Sequence, residues 1–168
     1  MTKRIDLAYT HFLNAAKHLG YSGTVGFTRQ IGGGQEPVTV VVHNKEFYIR
    51  QGNSYGLYAG NVNDPWLLKS RLSDIKNGYI RIPKKESNSF HINRDGEEGF
   101  KYVEQVIGNN SKLFQDNPYC NGVGISKDEH GYSITVLFSK PLDNAKNIPH
   151  EIEGVPVFVN HVGEIVAA

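Results

Sequence analysis

The segment Gly52-Asn-Ser-Tyr-Gly56 matches G-x-S-x-G, the pattern of serine nucleophiles in many hydrolases. Such a serine needs a sharp turn from a strand into a helix, together with an acid and a histidine later in the chain. The preceding Phe47-Tyr-Ile-Arg50 suits the strand, but the following Tyr55 to Gly60 alternates apolar residues in a strand pattern and carries two glycines. We therefore predict a hairpin turn, and Ser54 is a nucleophile only under the alternative hypothesis of a small hydrolase.

The seven histidines are candidates for acid–base or metal chemistry. None lies in HExxH or another metal-ligand motif, and the single cysteine, Cys120, excludes a multi-cysteine zinc site. His43 with Glu46, and His150 with its neighbouring glutamates, could form an acid–base site only if tertiary contacts assembled it. We predict no metal and no cofactor, and His43, Glu46 and His150 remain candidates for a hydrolase or nuclease.

A cluster of basic residues between positions 69 and 85 is the strongest nucleic-acid signal in the sequence. Positive side chains follow a phosphate backbone and exposed aromatic rings stack on bases, so the cluster predicts a site for single-stranded nucleic acid. The same pattern is also typical of a solvated helix face and strand edge. The residues of this predicted site are Lys69, Arg71, Lys76, Arg81, Lys84, Lys85, Trp66 and Tyr79.

Composition limits the cellular setting and the partners. The 18 Lys and Arg residues are balanced by 17 Asp and Glu, which gives no electrostatic reason to expect tight binding to duplex nucleic acid or an anionic membrane. Polar residues interrupt any apolar signal-peptide core near the N-terminus, and the longest apolar runs are far shorter than the ~20 residues of a membrane helix. A single cysteine fits a reducing compartment. We expect a cytoplasmic protein without a membrane partner.

Periodicity and turn residues indicate an α+β fold. Apolar residues from Ile5 to Leu19 form a helical stripe, and short strands separated by turns follow between Thr24 and Ala59. Asn63-Asp64-Pro65 predicts the start of a helix over Trp66–Lys76, and a second helical stripe covers Gly96–Ile107. The expected architecture is an antiparallel sheet flanked by two or three helices, with a smaller C-terminal β-rich lobe.

The segment Gly108-Asn-Asn-Ser111 is the best candidate for a domain boundary. It would separate an α+β lobe over residues 1–108 from a small β-rich lobe over residues 112–168. One continuous domain is the alternative.

The last ~50 residues contain the segments Asn121-Gly-Val-Gly-Ile125, Ile134–Phe138, Ile148-Pro149, Glu153–Val159 and Val162–Val166. Together these segments resemble a small α+β module that precedes trypsin-like peptidase domains in bacterial proteins. The resemblance covers under a third of the chain and does not extend over residues 1–108. It implies a bacterial or phage accessory role and no proteolysis, because no GDSGG-like nucleophile segment follows.

These observations predict a non-catalytic intracellular binding or regulatory module, whose partner is a protein or a small molecule. The alternative is a small hydrolase or nuclease that uses Ser54 or a His/Glu cluster.

Overall fold

A computed structural model describes residues 25–29 as backbone, and residues 36–64, 66–85 and 92–162 in full. The predicted opening helix over Ile5–Leu19 lies outside the described residues. The chain forms two compact units, Met1–Asn77 and Gly78–Ala168, which we call the N-terminal unit and the C-terminal unit. The boundary predicted at Gly108–Ser111 falls within the C-terminal unit, where it covers the end of one helix and the first residue of the next, and it stays a prediction.

The N-terminal unit contains an antiparallel meander followed by a helix. Its strands are β1 (Val25–Arg29), β2 (Val38–His43), β3 (Glu46–Gln51) and β4 (Leu57–Asn61), each paired with the next. Asn44 and Lys45 join β2 to β3 with φ values of +50° and +65°. Positive φ at both positions is the geometry of the type I′ turn, whose twist matches that of the two strands. The predicted meander is confirmed.

Buried apolar side chains hold the meander together on both of its faces. Val40 pairs with Ile49 and Val42 pairs with Phe47 across β2 and β3, and all four are buried. Val41, which points to the opposite face from these two valines because strand side chains alternate, is also buried. Both faces of the sheet are therefore covered within the folded protein.

Helix α1 (Trp66–Lys76) has the bounds that the sequence predicts. The side chain of Asn61 accepts the backbone N–H groups of Asn63 and Asp64 at 2.9 and 3.0 Å, so an Asx turn leads into the helix. Leu68, Leu72 and Ile75 are buried at helical spacing, and the helix packs against β4. Past the C-terminus, Gly78 has a φ of +73°, the left-handed conformation that stops a helix.

The C-terminal unit combines a mixed sheet with two helices. Its elements in chain order are β5 (Ile80–Arg81), α2 (Gly96–Asn109), α3 (Ser111–Gln115), β6 (Cys120–Asp128), β7 (Gly131–Phe138), a 3-10 helix (Leu142–Ala145), β8 (Glu151–Ile152) and β9 (Val155–His161). Strands β6 and β7 form an antiparallel hairpin and β5 is antiparallel to β9, whereas β7 and β9 are parallel. The α+β class is confirmed, but the expectation of an antiparallel sheet holds only in part. A parallel pair needs a crossover connection, which the 3-10 helix and β8 provide.

The core of the C-terminal unit lies between its sheet and its helices. Strands β7 and β9 contribute alternate buried residues to one face of the sheet. That face is covered by α2, by α3 and by residues 142–148, the 3-10 helix and the three residues after it, which we call the 3-10 segment. The buried members of this core are Val103, Val106, Phe114, Ile134, Val136, Phe138, Ala145, Ile148, Ile152, Val155, Val157 and Val159. Helix α2 extends two residues beyond the predicted end at Ile107.

A buried ion pair joins the segment before α2 to the β6–β7 turn. Arg94 is 5% exposed and Asp128 is fully buried. The guanidinium of Arg94 donates to both carboxylate oxygens of Asp128, at 2.5 and 3.3 Å, and to the carbonyl of Tyr132 at 2.6 Å. Asp128 also accepts the backbone N–H of His130 at 2.7 Å. Burial raises the pKa of the Asp128 carboxyl, and the adjacent Arg94 opposes that rise.

Two glycines allow this close approach. A Cβ atom at Gly99, in the first turns of α2, would overlap the backbone of Arg94. A Cβ atom at Gly131 would lie 2.6 Å from the carbonyl carbon of Arg94, and Gly131 has a φ of +139° that side-chain-bearing residues rarely adopt. The chain around Arg94 is therefore enclosed by backbone from both α2 and β7.

A second set of hydrogen bonds fixes the junction of α2 and α3. Asn110 lies between the two helices, and its side-chain amide donates to the carbonyl of Val106 at 2.8 Å and to the carboxylate of Glu153 at 2.7 Å. The hydroxyl of Tyr102 donates to the backbone carbonyl of Glu153 at 2.6 Å. Glu153 lies in the turn between β8 and β9, so this turn holds both α2 and the start of α3.

Removing either partner of the buried pair is expected to destabilise the protein strongly. Arg94→Gln or Asp128→Asn should each lower the free energy of unfolding by about 3 kcal/mol or more, because the remaining polar group loses its buried partner. The double variant should lose less than the sum of the two. Urea unfolding followed by circular dichroism measures all three.

The matched control is Lys101→Ala, which removes an exposed pair with Glu97 at 3.4 Å and should cost under about 0.5 kcal/mol.

Because the folded pKa of Asp128 is raised, its protonated form favours folding at low pH, and that contribution disappears as the pH rises through the folded pKa. The loss in Arg94→Gln should therefore shrink as the pH falls toward about 4. Losses no larger than that of the control would contradict this role of the pair.

Candidate functional site

Ser54 is a structural residue of the turn between β3 and β4. It is 2% exposed, and its hydroxyl accepts the N–H of Gln51 at 2.8 Å and lies 3.0 Å from the carbonyl of Tyr55, to which it donates. The element that follows is strand β4, not the helix that a nucleophile elbow requires. The predicted turn is confirmed, and both hydrogen bonds of the hydroxyl go to the backbone.

The three other catalytic candidates lie at two places. His43 and Glu46 face each other across the end of the β2–β3 hairpin, and the His43 ring is exposed, with Nε2 3.3 Å from the amide nitrogen of Asn44. His150 belongs to the C-terminal unit, where its Nδ1 accepts the backbone N–H of Lys84 at 3.1 Å. Within the described ranges, no group of three or more His, Cys, Asp or Glu side chains is arranged to hold a metal ion.

The predicted nucleic-acid residues are divided between the two units. Lys69, Arg71 and Lys76 lie on α1, whereas Arg81, Lys84 and Lys85 belong to the C-terminal unit. The two aromatic members are exposed: Trp66, the first residue of α1, by 69%, and Tyr79 by 46%.

Arg81 has a structural role that its place in the basic cluster does not reveal. Its guanidinium donates to the carbonyls of Ala145, Ile148 and Pro149 at 3.1, 2.9 and 3.1 Å. These carbonyls follow one another along the segment that leaves the 3-10 helix, so Arg81 fixes the path of that segment. Contacts from this guanidinium to phosphate would compete with its three backbone hydrogen bonds.

Two clefts lie beside the short helix α3. The first has a volume of about 300 Å³ and is lined mainly by apolar groups, including Ile107, Phe114 and Val123, with Cys120 among them. Burial raises the pKa of the Cys120 thiol, and a hydrogen bond with the backbone of Gly122 opposes that rise. The thiol is therefore protonated at neutral pH and is a poor nucleophile.

The second cleft, which we call the polar cleft, has a volume of about 340 Å³. Its lining comes from two stretches of chain, which we call its walls: helix α3 with the turn that follows it, and residues 144–148 at and after the end of the 3-10 helix. Its lining residues are Lys112, Leu113, Asp116, Asn117, Pro118, Tyr119, Asn144, Asn147 and Ile148.

Local hydrogen bonds hold parts of this lining in place. The side-chain oxygen of Asn117 accepts the N–H of Tyr119 at 3.0 Å, and the amide nitrogen of Asn144 donates to the carbonyl of Pro141 at 3.1 Å. The ring of Tyr119 packs edge-to-face on the buried Phe138, with ring centroids 5.9 Å apart. Asn117, Tyr119 and Asn144 are thus held by contacts within or below the lining, whereas Lys112, Asp116 and Asn147 are exposed side chains.

Several polar groups of the polar cleft have no partner within the part of the chain that the structure describes. The side chains of Lys112, Asp116 and Asn147 make no hydrogen bond or ion pair there. The amide nitrogen of Asn117 and the hydroxyl of Tyr119 are likewise unpartnered. Such a set of donors and acceptors around one concavity can bind a polar molecule.

Sequence reasoning missed this cleft. Its asparagines lie in Asn117-Pro118-Tyr119 and in Asp143-Asn-Ala-Lys-Asn147, two segments that read as ordinary turns. Only the packing of the 3-10 segment against the core brings them to the same place. The density of asparagine in two separate turns is the one signal that the sequence offered.

No family model, no curated protein and no solved structure matches this chain. The resemblance of the last ~50 residues to a module ahead of trypsin-like peptidases stays a prediction. None of the described helices is long and apolar enough to cross a membrane.

Substitution of Ser54 distinguishes a structural residue of the turn from a catalytic nucleophile. Ser54→Ala should keep the fold, lower the free energy of unfolding by about 1 kcal/mol and change any activity of the protein by no more than about twofold. Ser70→Ala, on α1, is the control, and should be neutral or slightly stabilising because alanine favours helix. Urea unfolding and labelling with a fluorophosphonate probe test both variants. Covalent labelling of Ser54 in the unmodified protein would contradict the turn assignment.

Proposed function

We propose that the chain is a non-catalytic binding module whose ligand is a small polar molecule held in the polar cleft. The observation that carries this proposal is a group of polar side chains around one cleft that have no partner among the described residues, which includes Lys112, Asp116 and Asn147. We further propose a cytoplasmic setting and a bacterial or phage accessory role, which rest on the composition and on the resemblance of the C-terminal segment.

The volume and position of the polar cleft support binding. About 340 Å³ is at the lower end of the roughly 300–1,000 Å³ of small-molecule sites, so a compact ligand would fill it. Phe114 on α3, and Ala145 and Ile148 in the 3-10 segment, are buried in the core below it. The backbone that carries the lining is therefore anchored, whereas the exposed side chains of Lys112, Asp116 and Asn147 would become ordered when a ligand binds.

The state of the candidate nucleophiles supports a role without catalysis. The hydroxyl of Ser54 is engaged with the backbone on both sides of its turn, and the pKa of the Cys120 thiol is raised. Among the residues that the structure describes, neither group has the adjacent base that nucleophilic catalysis needs, and the thiol lacks the lowered pKa that would activate it.

The arrangement of the basic residues favours a small ligand over single-stranded nucleic acid. Arg81 already donates to three backbone carbonyls, so one of the predicted phosphate contacts is engaged within the protein. The polar cleft itself contains one cationic and one anionic side chain, Lys112 and Asp116, so it offers no surplus of positive charge to phosphates.

Chemical-shift mapping by NMR tests this proposal. The ¹⁵N-labelled full chain is titrated with a fragment library that includes amides, polyols, amino acids, phosphates and aromatic compounds. We expect saturable shifts concentrated in residues 112–119 and 144–148, and weaker binding in Asn147→Ala. Asn109→Ala, which changes an exposed asparagine of α2 outside the polar cleft, should bind as the unmodified protein does. Shifts confined to other residues, or none at all, would overturn the proposal.

A further inference from the structure

We propose that the ligand of the polar cleft is a neutral polyhydroxylated molecule, a monosaccharide or one residue of a larger sugar. This inference rests on the proposed function and specifies its ligand. Three features of the polar cleft support it: its amide side chains, its balanced charge and the aromatic ring in its lining.

The amide side chains match the hydrogen-bonding character of sugar hydroxyls. A hydroxyl both donates and accepts, and an asparagine amide offers two N–H donors and a carbonyl acceptor in one plane. Asn147 has its whole amide available among the described residues, and Asn117 retains its amide nitrogen. Neighbouring hydroxyls on one ring can therefore pair with one amide, or with two from opposite walls of the polar cleft.

The two charged residues in the lining, Lys112 and Asp116, give the polar cleft no net charge. Lys112 and Asp116 are four residues apart, which places them as neighbours on one face of the helical segment. A single hydroxyl can accept from the ammonium of Lys112 and donate to the carboxylate of Asp116, which satisfies both charges at once. A phosphate would instead be repelled by Asp116, and a simple cation by Lys112.

Tyr119 adds an apolar surface to the polar lining. Its ring is held edge-to-face against Phe138 at a centroid distance of 5.9 Å and is only partly buried. The C–H groups of a sugar form an apolar patch between its hydroxyls, and burying that patch against an aromatic face is favourable. The unpartnered hydroxyl of Tyr119 offers one more hydrogen bond to the same ligand.

The test is a titration of the ¹⁵N-labelled full chain with glucose, mannose, galactose and N-acetylglucosamine, each at millimolar concentration. Glycine and inorganic phosphate are the zwitterionic and anionic comparators. We expect at least one sugar to give saturable shifts at residues 112–119 and 144–148, and both comparators to bind more weakly or not at all.

Two variants connect the shifts to the proposed contacts. Asn147→Ala should weaken sugar binding roughly threefold to tenfold, as expected for the loss of one or two hydrogen bonds, whereas Asn109→Ala should leave it unchanged. Asp116→Asn should weaken sugar binding and strengthen phosphate binding, because the anionic side chain is removed while its shape is kept. Unaltered spectra elsewhere confirm that each variant is folded.

The outcomes separate this inference from the proposed function. If library compounds of another class bind in the polar cleft and no sugar does, the sugar assignment is wrong and the binding module stands. If glycine or phosphate binds more tightly than every sugar, the sugar assignment is also wrong. If nothing binds at residues 112–119 and 144–148, both proposals are wrong.

Discussion

The buried ion pair between Arg94 and Asp128 ties the start of α2 to the β6–β7 hairpin. Two charges removed from water are costly unless every donor and acceptor is matched, and here the carboxylate receives the guanidinium and a backbone N–H while the guanidinium also serves the carbonyl of Tyr132. This requirement admits few arrangements of the chain. It places the start of α2 against the β6–β7 turn, and Gly99 and Gly131 are the residues that let the backbones approach.

The position of α2 in turn sets one wall of the polar cleft. Asn110 directly joins α2 to α3, and its bond to Glu153 ties this junction to the β8–β9 turn. Helix α3 is only 5 residues long and contributes one buried side chain, Phe114, to the core. Its position therefore depends on the contacts made at its junction with α2. On the opposite wall, Arg81 holds the segment after the 3-10 helix through three carbonyls. The polar cleft is therefore defined by ionic and amide contacts that lie outside it.

Local signals in the sequence predicted the parts of the fold that local physics determines. The bounds of α1 followed from a polar start and a glycine stop, and the hairpin between β2 and β3 followed from its two-residue turn. The parallel pairing of β7 with β9 did not follow, because it depends on a crossover whose residues read as loop. The hydrogen bonds of Arg81 to three carbonyls, and the placement of the asparagines around one cleft, did not follow for the same reason: they bring together residues that are distant in sequence, and residue type alone does not predict such contacts.

Hydrogen exchange on Asp128→Asn tests most directly whether the buried pair positions the helices that border the polar cleft. Native-state exchange measured by NMR, residue by residue, reports the opening of each element separately. We expect the amides of α2 and α3 to exchange at least about tenfold faster than in the unmodified protein, because the free energy that holds α2 in place is reduced. The central amides of the β7–β9 pair should change less, since they depend on strand pairing and on the apolar core. Unchanged exchange in α2 and α3 would contradict the account.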